Sequence, residues 1–221
     1  MFTLRIVLND MKILNLYAGI GGNRKLWGGA HEVVAVEYDQ ATADVYKKYF
    51  PNDKVIVGDA HAYLLENYMN YDFIWASPPC PSHSDIRRCG VHAGQYEALY
   101  PDMALYQEII LLKNFAPKTT KFCVENVKPY YDPLISPDCI LDRHLYWCNF
   151  KIQPFTNDHG ITIAGNNGIS SGDIVFGFDV KGTQIKDKRK ALRNMVDPEL
   201  GLHILNCAEG HQQPMNFGLF E

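Results

Sequence analysis

Short apolar runs alternate with longer amphipathic ones over the first 150 residues of the chain. Lys12–Leu16, Val33–Val36, Lys54–Val57, Phe73–Ala76 and Phe122–Val124 are brief and rich in β-branched or aromatic residues, which predicts strands. Between them, Asn23–Trp27, Ala41–Phe50, Tyr63–Tyr68 and Asp102–Asn114 have helical composition and spacing, and Leu145–Phe150 reads as a later strand. Strands alternating with helices imply parallel βαβ units, hence an α/β fold with a mostly parallel, doubly wound sheet flanked by helices. The pattern then changes. Phe155–Gly182 is rich in Gly, Asn, Asp and Ser and reads as loop or short β structure. Asp187–Asn194 reads as a basic helix and Gly210–Glu221 as a loop-like tail. The expected division is a main domain over residues 1–150 and a small irregular region over 151–221.

Composition adds bounds. The 221 residues, 47% hydrophobic and 21% charged, suit one sizeable core. No apolar run reaches the roughly 18 residues that a membrane-spanning helix needs, so no membrane partner is expected. The N-terminal stretch lacks the apolar run and small-residue cleavage site of a signal peptide, and reads as a first strand starting from Met1 or Met11. The six cysteines at 80, 89, 123, 139, 148 and 207 therefore suggest free thiols in a reducing cytoplasm rather than a disulfide framework. The net charge of −4 speaks against nonspecific binding to phosphate backbones. Two local features temper that: the basic stretch Lys181–Arg193 and the pair Arg87-Arg88.

Chemistry concentrates where the predicted strands end. The first strand runs into Tyr17-Ala18-Gly19-Ile20-Gly21-Gly22, whose glycines permit a tight turn and close approach of backbone N–H groups to a ligand. The second ends in Glu37-Tyr38-Asp39, an acid placed to accept from ribose hydroxyls and an aromatic ring able to stack on adenine. The third ends in Gly58-Asp59-Ala60, where Asp59 can accept from an adenine amino group. Each feature alone is compatible with a turn or a solvated acid; the ordered triple points to an adenosine site. The absence of a phosphate-binding lysine in the glycine loop argues against a nucleoside triphosphate.

The fourth strand runs into Ser77-Pro78-Pro79-Cys80-Pro81-Ser82-His83-Ser84. Prolines stop the strand and stiffen the loop, and a cysteine held there is a candidate nucleophile. The fifth strand ends in Glu125-Asn126-Val127, which brings a carboxyl to the same sheet edge; a raised carboxyl pKa there would permit proton donation.

These motifs, in order and spacing over residues 11–150, resemble those of the cytosine-5 DNA methyltransferase family. The resemblance implies a Rossmann-like fold dependent on S-adenosyl-L-methionine, with a donor analogue as the alternative. It implies that Cys80 attacks C6 of a flipped-out cytosine, that Glu125 assists at N3, and that C5 accepts the methyl group. Tyr17, Ala18, Gly19, Gly21, Gly22, Glu37, Tyr38, Asp59, Ala60 and Pro79 would form the donor site. Asn126 would shape the base pocket. Ser82, Ser84, Arg87, Arg88, Lys188 and Arg189 are candidate DNA contacts. Residues 1–150 would be the catalytic domain, and 151–221 a reduced target-recognition region with a basic helix. The implied partner is DNA, with RNA as the alternative, and no obligate protein partner is expected of what reads as a monomer. A compact enzyme of this kind is similar to those of phages and mobile elements, which implies the cytoplasm of a bacterial or phage-infected cell.

The chain departs from the family pattern in places. Pro81 stands where the family has Gln. The late Gln-x-Arg-x-Arg motif is represented by Ile140-Leu141-Asp142-Arg143-His144, with Arg143 and His144 as candidates for its basic role. For the final Gly-Asn-x-x-Pro donor motif, Gly210–Asn216 is a poor substitute. Rival readings are a silent donor- or DNA-binding homologue, an RNA cytosine methyltransferase and a C5-modifying enzyme of pyrimidine nucleotides. Cys80, His83, Cys89 and His92 also have zinc-ligand types, although their five-residue spacer is short for a zinc finger, and the alternative is an active-site loop that carries polar residues. Trp27, Trp75 and Trp147 read as core residues, and His61 and His203 have no evident role.

Overall fold

A computed structural model describes residues 10–156 and 174–211. Seven strands make one sheet: β1 (Lys12–Leu16), β2 (Glu32–Glu37), β3 (Lys54–Val57), β4 (Phe73–Ala76), β5 (Lys121–Val127), β6 (Cys139–Leu141) and β7 (His144–Cys148). Their order is β3-β2-β1-β4-β5-β7-β6. The first five pair in parallel, β7 runs antiparallel to β5, and β6 antiparallel to β7. Helices α1 (Gln40–Tyr49), α2 (Ala60–Asn67), α3 (Asp85–His92) and α4 (Ala104–Phe115) lie between strands in sequence. A hairpin of β8 (Ile174–Val175) and β9 (Phe178–Asp179) precedes α5 (Lys188–Arg193) and α6 (Pro198–Ala208). This is the doubly wound α/β architecture that the alternation predicts.

Side chains alternate across each strand, so the sheet feeds two layers. Leu14, Leu16, Val34, Val36, Ile74, Ala76, Phe122 and Val124 pack with Leu64 of α2 and with Leu105, Ile109 and Leu112 of α4. Ile13, Val33, Phe73, Trp75 and Cys123 face the other way, onto Trp27 and onto Ile204, Leu205 and Ala208 of α6. A third cluster joins Val45, Tyr46 and Phe50 of the α1 region to Val175 and Phe178 of the hairpin, Leu192 of α5 and Met195. The described part of the chain after residue 150 thus shares its cores with the parallel sheet.

The structure corrects three local expectations. Asn23–Trp27 is a pair of tight turns, not a helix: Lys25 N–H donates to the Gly22 carbonyl at 3.2 Å and Trp27 N–H to that of Arg24 at 3.1 Å. Long-range bonds hold these residues instead. Asn23 exchanges side-chain hydrogen bonds with Asn15, Arg24 forks onto Asp53, and Gly28 with φ 75° turns the chain away. The stretch after Cys80, expected as loop, becomes α3. Pro198–Ala208, for which no element was expected, is α6, with the Asp197 side chain capping Glu199 N–H and Pro198 in the first turn. Residues 157–173, and the tail beyond His211 with most of the Gly210–Asn216 candidate, lie outside the described residues. No helix among the described residues is long and apolar enough to cross a membrane.

Candidate active site

Strand register sets the site. Leu16, Val36, Ile56, Ala76 and Val124 form one row across the parallel sheet. The next residue on each strand is Tyr17, Glu37, Val57, Ser77 and Glu125, so the predicted site residues leave the sheet at one level. Strand order reverses between β1 and β4, the position at which open α/β sheets bind ligands. A cleft of about 1330 Å³ opens there. It exceeds the roughly 300–1,000 Å³ of pockets for one small molecule, leaving room for a donor and a base together.

The glycine loop forms one end. Gly19 has φ 56° and a Cβ built on it would meet nothing within 4 Å, so its Cα faces the open cleft. Its N–H donates to Glu37 Oε2 at 2.9 Å, and Asp39 N–H donates to Glu37 Oε1 at 3.0 Å. A carboxylate has about four lone-pair positions, so Glu37 keeps acceptor capacity toward the cleft that it lines. Tyr38, 80% exposed, presents its ring at the rim. Asp59 caps α2, its Oδ1 accepting from His61 and Ala62 N–H. Ala18, Gly22 and Ala60 complete this wall. The open backbone at Gly19, an acid at each of two strand ends and an exposed aromatic ring make a set suited to an adenosine carrying an amino-acid group.

Cys80 lines the cleft on a loop fixed from both sides. Asn126 Nδ2 donates to the Pro78 carbonyl at 2.9 Å, and Asn126 Oδ1 accepts from Val127 N–H at 3.0 Å. The Cys80 carbonyl accepts from the N–H groups of His83 and Ser84, both at 3.0 Å. His83 is buried with Nδ1 at 2.5 Å from Tyr131 Oη. The Cys80 segment is therefore a pinned turn leading into α3.

Glu125, 8% exposed, leaves β5 beside this loop. His144 Nε2 stands 3.5 Å from its Oε1, delivered by β7, whose pairing sets His144 opposite Val127. Asp142 turns β6 into β7 with φ 52°, a backbone conformation that Asp tolerates, and Arg143 beside it lines the cleft. Burial raises the Cys80 thiol pKa and the Glu125 charge adds to that, while Arg143 and Lys190 pull it down. On balance the shift is upward, so at neutral pH the thiol is mainly protonated.

Other predicted residues lie elsewhere. Gly21 does not line the cleft: its missing Cβ makes room for Phe50, 2.3 Å from where the atom would be. Ser84 and Pro79 line it, whereas Ser82 accepts from Asp102 N–H at 3.0 Å just outside. Arg87 lies over the Tyr96 ring and donates to the Glu97 carbonyl; Arg88 pairs with Asp85 and lies over Tyr130. Lys188 donates to the Ile185 carbonyl, and neither Lys188 nor Arg189 lines the cleft. On the same basic segment, Lys186, Lys190 and Arg193 face the cleft. Among the described residues, no three His, Cys, Asp or Glu side chains converge as a metal site.

Two groups had escaped the sequence reading. Asn194-Met195-Val196-Asp197 lines the cleft against the glycine loop: a Cβ on Gly22 would stand 2.4 Å from the Val196 carbonyl, and one on Gly201 2.4 Å from that of Asn23. Among the described residues this segment closes over the glycine loop, and Asn194 and Pro198 are its signal in the sequence. His61 and Glu108 form the second group, behind Tyr17.

Comparison with known proteins follows the same lines. The family model described as C-5 cytosine-specific DNA methylase matches residues 11–133, more than half of the chain. No curated protein sequence matches significantly. Among solved structures, DNMT2 of Spodoptera frugiperda is similar at 25% identity and TM-score 0.38, over 57% of this chain and 38% of that one. An SAM-dependent methyltransferase of Agrobacterium tumefaciens matches at 14% identity and TM-score 0.39, over 57% and 41% of the two chains. Escherichia coli yhhF matches at 17% identity and TM-score 0.42, over 63% and 74%. None of these TM-scores reaches 0.5, so function rests on the family match and the site.

Proposed function

This chain belongs to the C-5 cytosine-specific DNA methylase family, and from that premise we propose that it methylates C5 of cytosine in DNA through a covalent bond from Cys80 to C6. S-adenosylmethionine is the family's donor, and the open glycine backbone, Glu37, Tyr38 and Asp59 fit it. When bound, it supplies an electrophilic methyl group. Residues 1–150 would carry the chemistry, while the described part of 174–211 completes the donor wall through Asn194–Asp197.

Cytosine C5 is a poor nucleophile, and the chain's own groups are placed to change that. The Cys80 thiolate adds to C6, and Glu125 donates a hydrogen bond or proton at N3, so the S–C6 bond forms and electron density moves to C5. After C5 has accepted the methyl group, loss of the C5 proton and cleavage of S–C6 restore both the aromatic ring and the thiolate. Arg143 and Lys190 favour the thiolate that starts the sequence. His144 beside Glu125 can hold the carboxyl's orientation and exchange its proton. Lys186, Lys190 and Arg193, which line the cleft, offer contacts to phosphates flanking an extruded base.

The observation that carries the reading is the meeting of Cys80 and Glu125 in the cleft that also contains the glycine loop. Incubation with methyl-labelled S-adenosylmethionine and duplex DNA, single-stranded DNA or RNA tests it. Label at C5 of cytosine in DNA is expected; label confined to RNA would replace the substrate, and no label in any polymer would overturn the activity.

A further inference from the structure

Tyr17, the first residue after β1, has φ 56°. That left-handed conformation is uncommon for a bulky side chain and persists where its surroundings hold it. What holds it is visible. Tyr17 Oη donates to Glu108 Oε1, and His61 Nδ1 lies 2.9 Å from the same oxygen. Glu108 comes from α4, 1% exposed, amid the apolar face that includes Leu105, Ile109 and Leu112. Its other oxygen, Oε2, is buried and without a hydrogen-bond partner among the described residues.

A carboxyl group in such a place is costly, and a leucine would suit the apolar face of α4 better on stability alone. The two partners that it does have, Tyr17 and His61, both line the cleft at its donor end. We propose that Glu108 is a positioning residue for donor binding: from behind the cleft wall it clamps Tyr17, steadied by His61, so that the glycine loop keeps its ligand-ready backbone. The clamp rests on the donor site assigned above and not on the identity of the nucleic acid.

The proposal explains why Tyr17 tolerates the left-handed region two residues before Gly19, which takes it freely. Burial raises the Glu108 pKa, against the hydrogen bonds from Tyr17 and His61, which lower it; the clamp is thus maintained at a cost to the fold.

Calorimetric titration of the full chain with S-adenosylmethionine, without DNA, provides the test. Tyr17→Phe, which deletes one hydroxyl, is expected to weaken donor affinity about tenfold, the scale of one lost hydrogen bond. Glu108→Leu is expected to do the same, and the double variant to be little worse than either, because both remove one interaction. Glu108→Gln retains an acceptor for Tyr17 and is expected to stay within about threefold of the parent protein. In turnover, the donor KM rises more than kcat falls, a split that a general loss of folding would not produce. Unchanged affinity in Tyr17→Phe, or fully multiplicative losses in the double variant, would overturn the clamp while leaving the donor site standing. A parent protein that binds no S-adenosylmethionine would overturn both. Should Glu108→Leu not fold, Tyr17→Phe and Glu108→Gln decide the matter by themselves.

Discussion

The Asn126 side chain donates to the Pro78 carbonyl at 2.9 Å, two residues before Cys80. One amide therefore ties the strand that delivers the candidate acid to the loop that delivers the candidate nucleophile. With its Oδ1 on Val127 N–H, Asn126 is held through both its oxygen and its nitrogen and fixes the Cys80 loop against β5.

Asn126→Ala is accordingly expected to lower kcat by about 10²-fold, the penalty typical of misplacing reacting groups by about 1 Å. Donor affinity should hold, because the glycine loop and Glu37 are untouched. Single-turnover rates beside donor titrations check this; a matching loss in donor affinity would contradict the role.

The Cys80 thiol should alkylate slowly at neutral pH. Its pKa is raised above the ordinary 9.0, mainly by burial and next by Glu125, so its thiolate fraction still grows as pH rises through that value. Arg143→Ala or Lys190→Ala removes a cation that opposes this shift, and each should slow Cys80 alkylation at fixed pH. Iodoacetamide labelling followed by peptide mapping gives the rates. A Cys80 that reacts faster in either variant would contradict the electrostatics.

Neighbouring glycines should respond differently to a methyl group. Gly22→Ala drives a Cβ to 2.4 Å from the Val196 carbonyl, backbone that cannot swing aside, and is expected to cost about 1–3 kcal/mol. Gly19→Ala meets open space but adopts φ 56°, which costs about 1 kcal/mol and removes room for the donor. Urea unfolding and donor titration separate the two: Gly22→Ala loses more stability, whereas Gly19→Ala loses more affinity than stability. Equal stability of Gly22→Ala and the parent would contradict the closure of Asn194–Asp197 on the loop.

Stability should also record Glu108. Its folded pKa is raised above 4.5, chiefly by burial, so the native state binds the proton more tightly than the unfolded chain does. Its contribution to stability is then largest below 4.5 and declines as pH rises through the folded value. Gln does not titrate. The Tm of Glu108→Gln relative to the parent should therefore climb between pH 4 and pH 8, by a few degrees for each ~1 kcal/mol in a chain of this size. A difference that is flat or falls with pH would contradict the buried carboxyl.

Much of this architecture is legible in the sequence because β-branched runs and strand-end acids are local signals. β1 and β4 occur where Lys12–Leu16 and Phe73–Ala76 predict them, and register alone carries Glu37 and Glu125 to one edge. What was missed depends on contacts between distant segments. The false helix at Asn23–Trp27 reads well locally but is overruled by Asn15 and Asp53. The α6 helix was obscured by Gly201, whose absent side chain admits the Asn23 backbone, although Asp197-Pro198 carries a helix-start signal. Lys190 rather than Lys188 faces the cleft because helix phase is set by Leu192 packing into the core. His61 and Glu108 lie 47 residues apart and meet because α2 packs on α4, which no local pattern reveals.

The central claim is a bond between Cys80 and cytosine C6, and trapping that bond tests it most directly. In DNA carrying 5-fluorocytosine, the fluorine blocks the loss of a C5 proton that would release the enzyme, so an adduct formed in the presence of S-adenosylmethionine persists through denaturation. The account predicts a denaturation-resistant protein–DNA complex whose cross-linked peptide contains Cys80, and none from Cys80→Ser. A stable adduct on another residue, or one that forms equally well with Cys80→Ser, would contradict it.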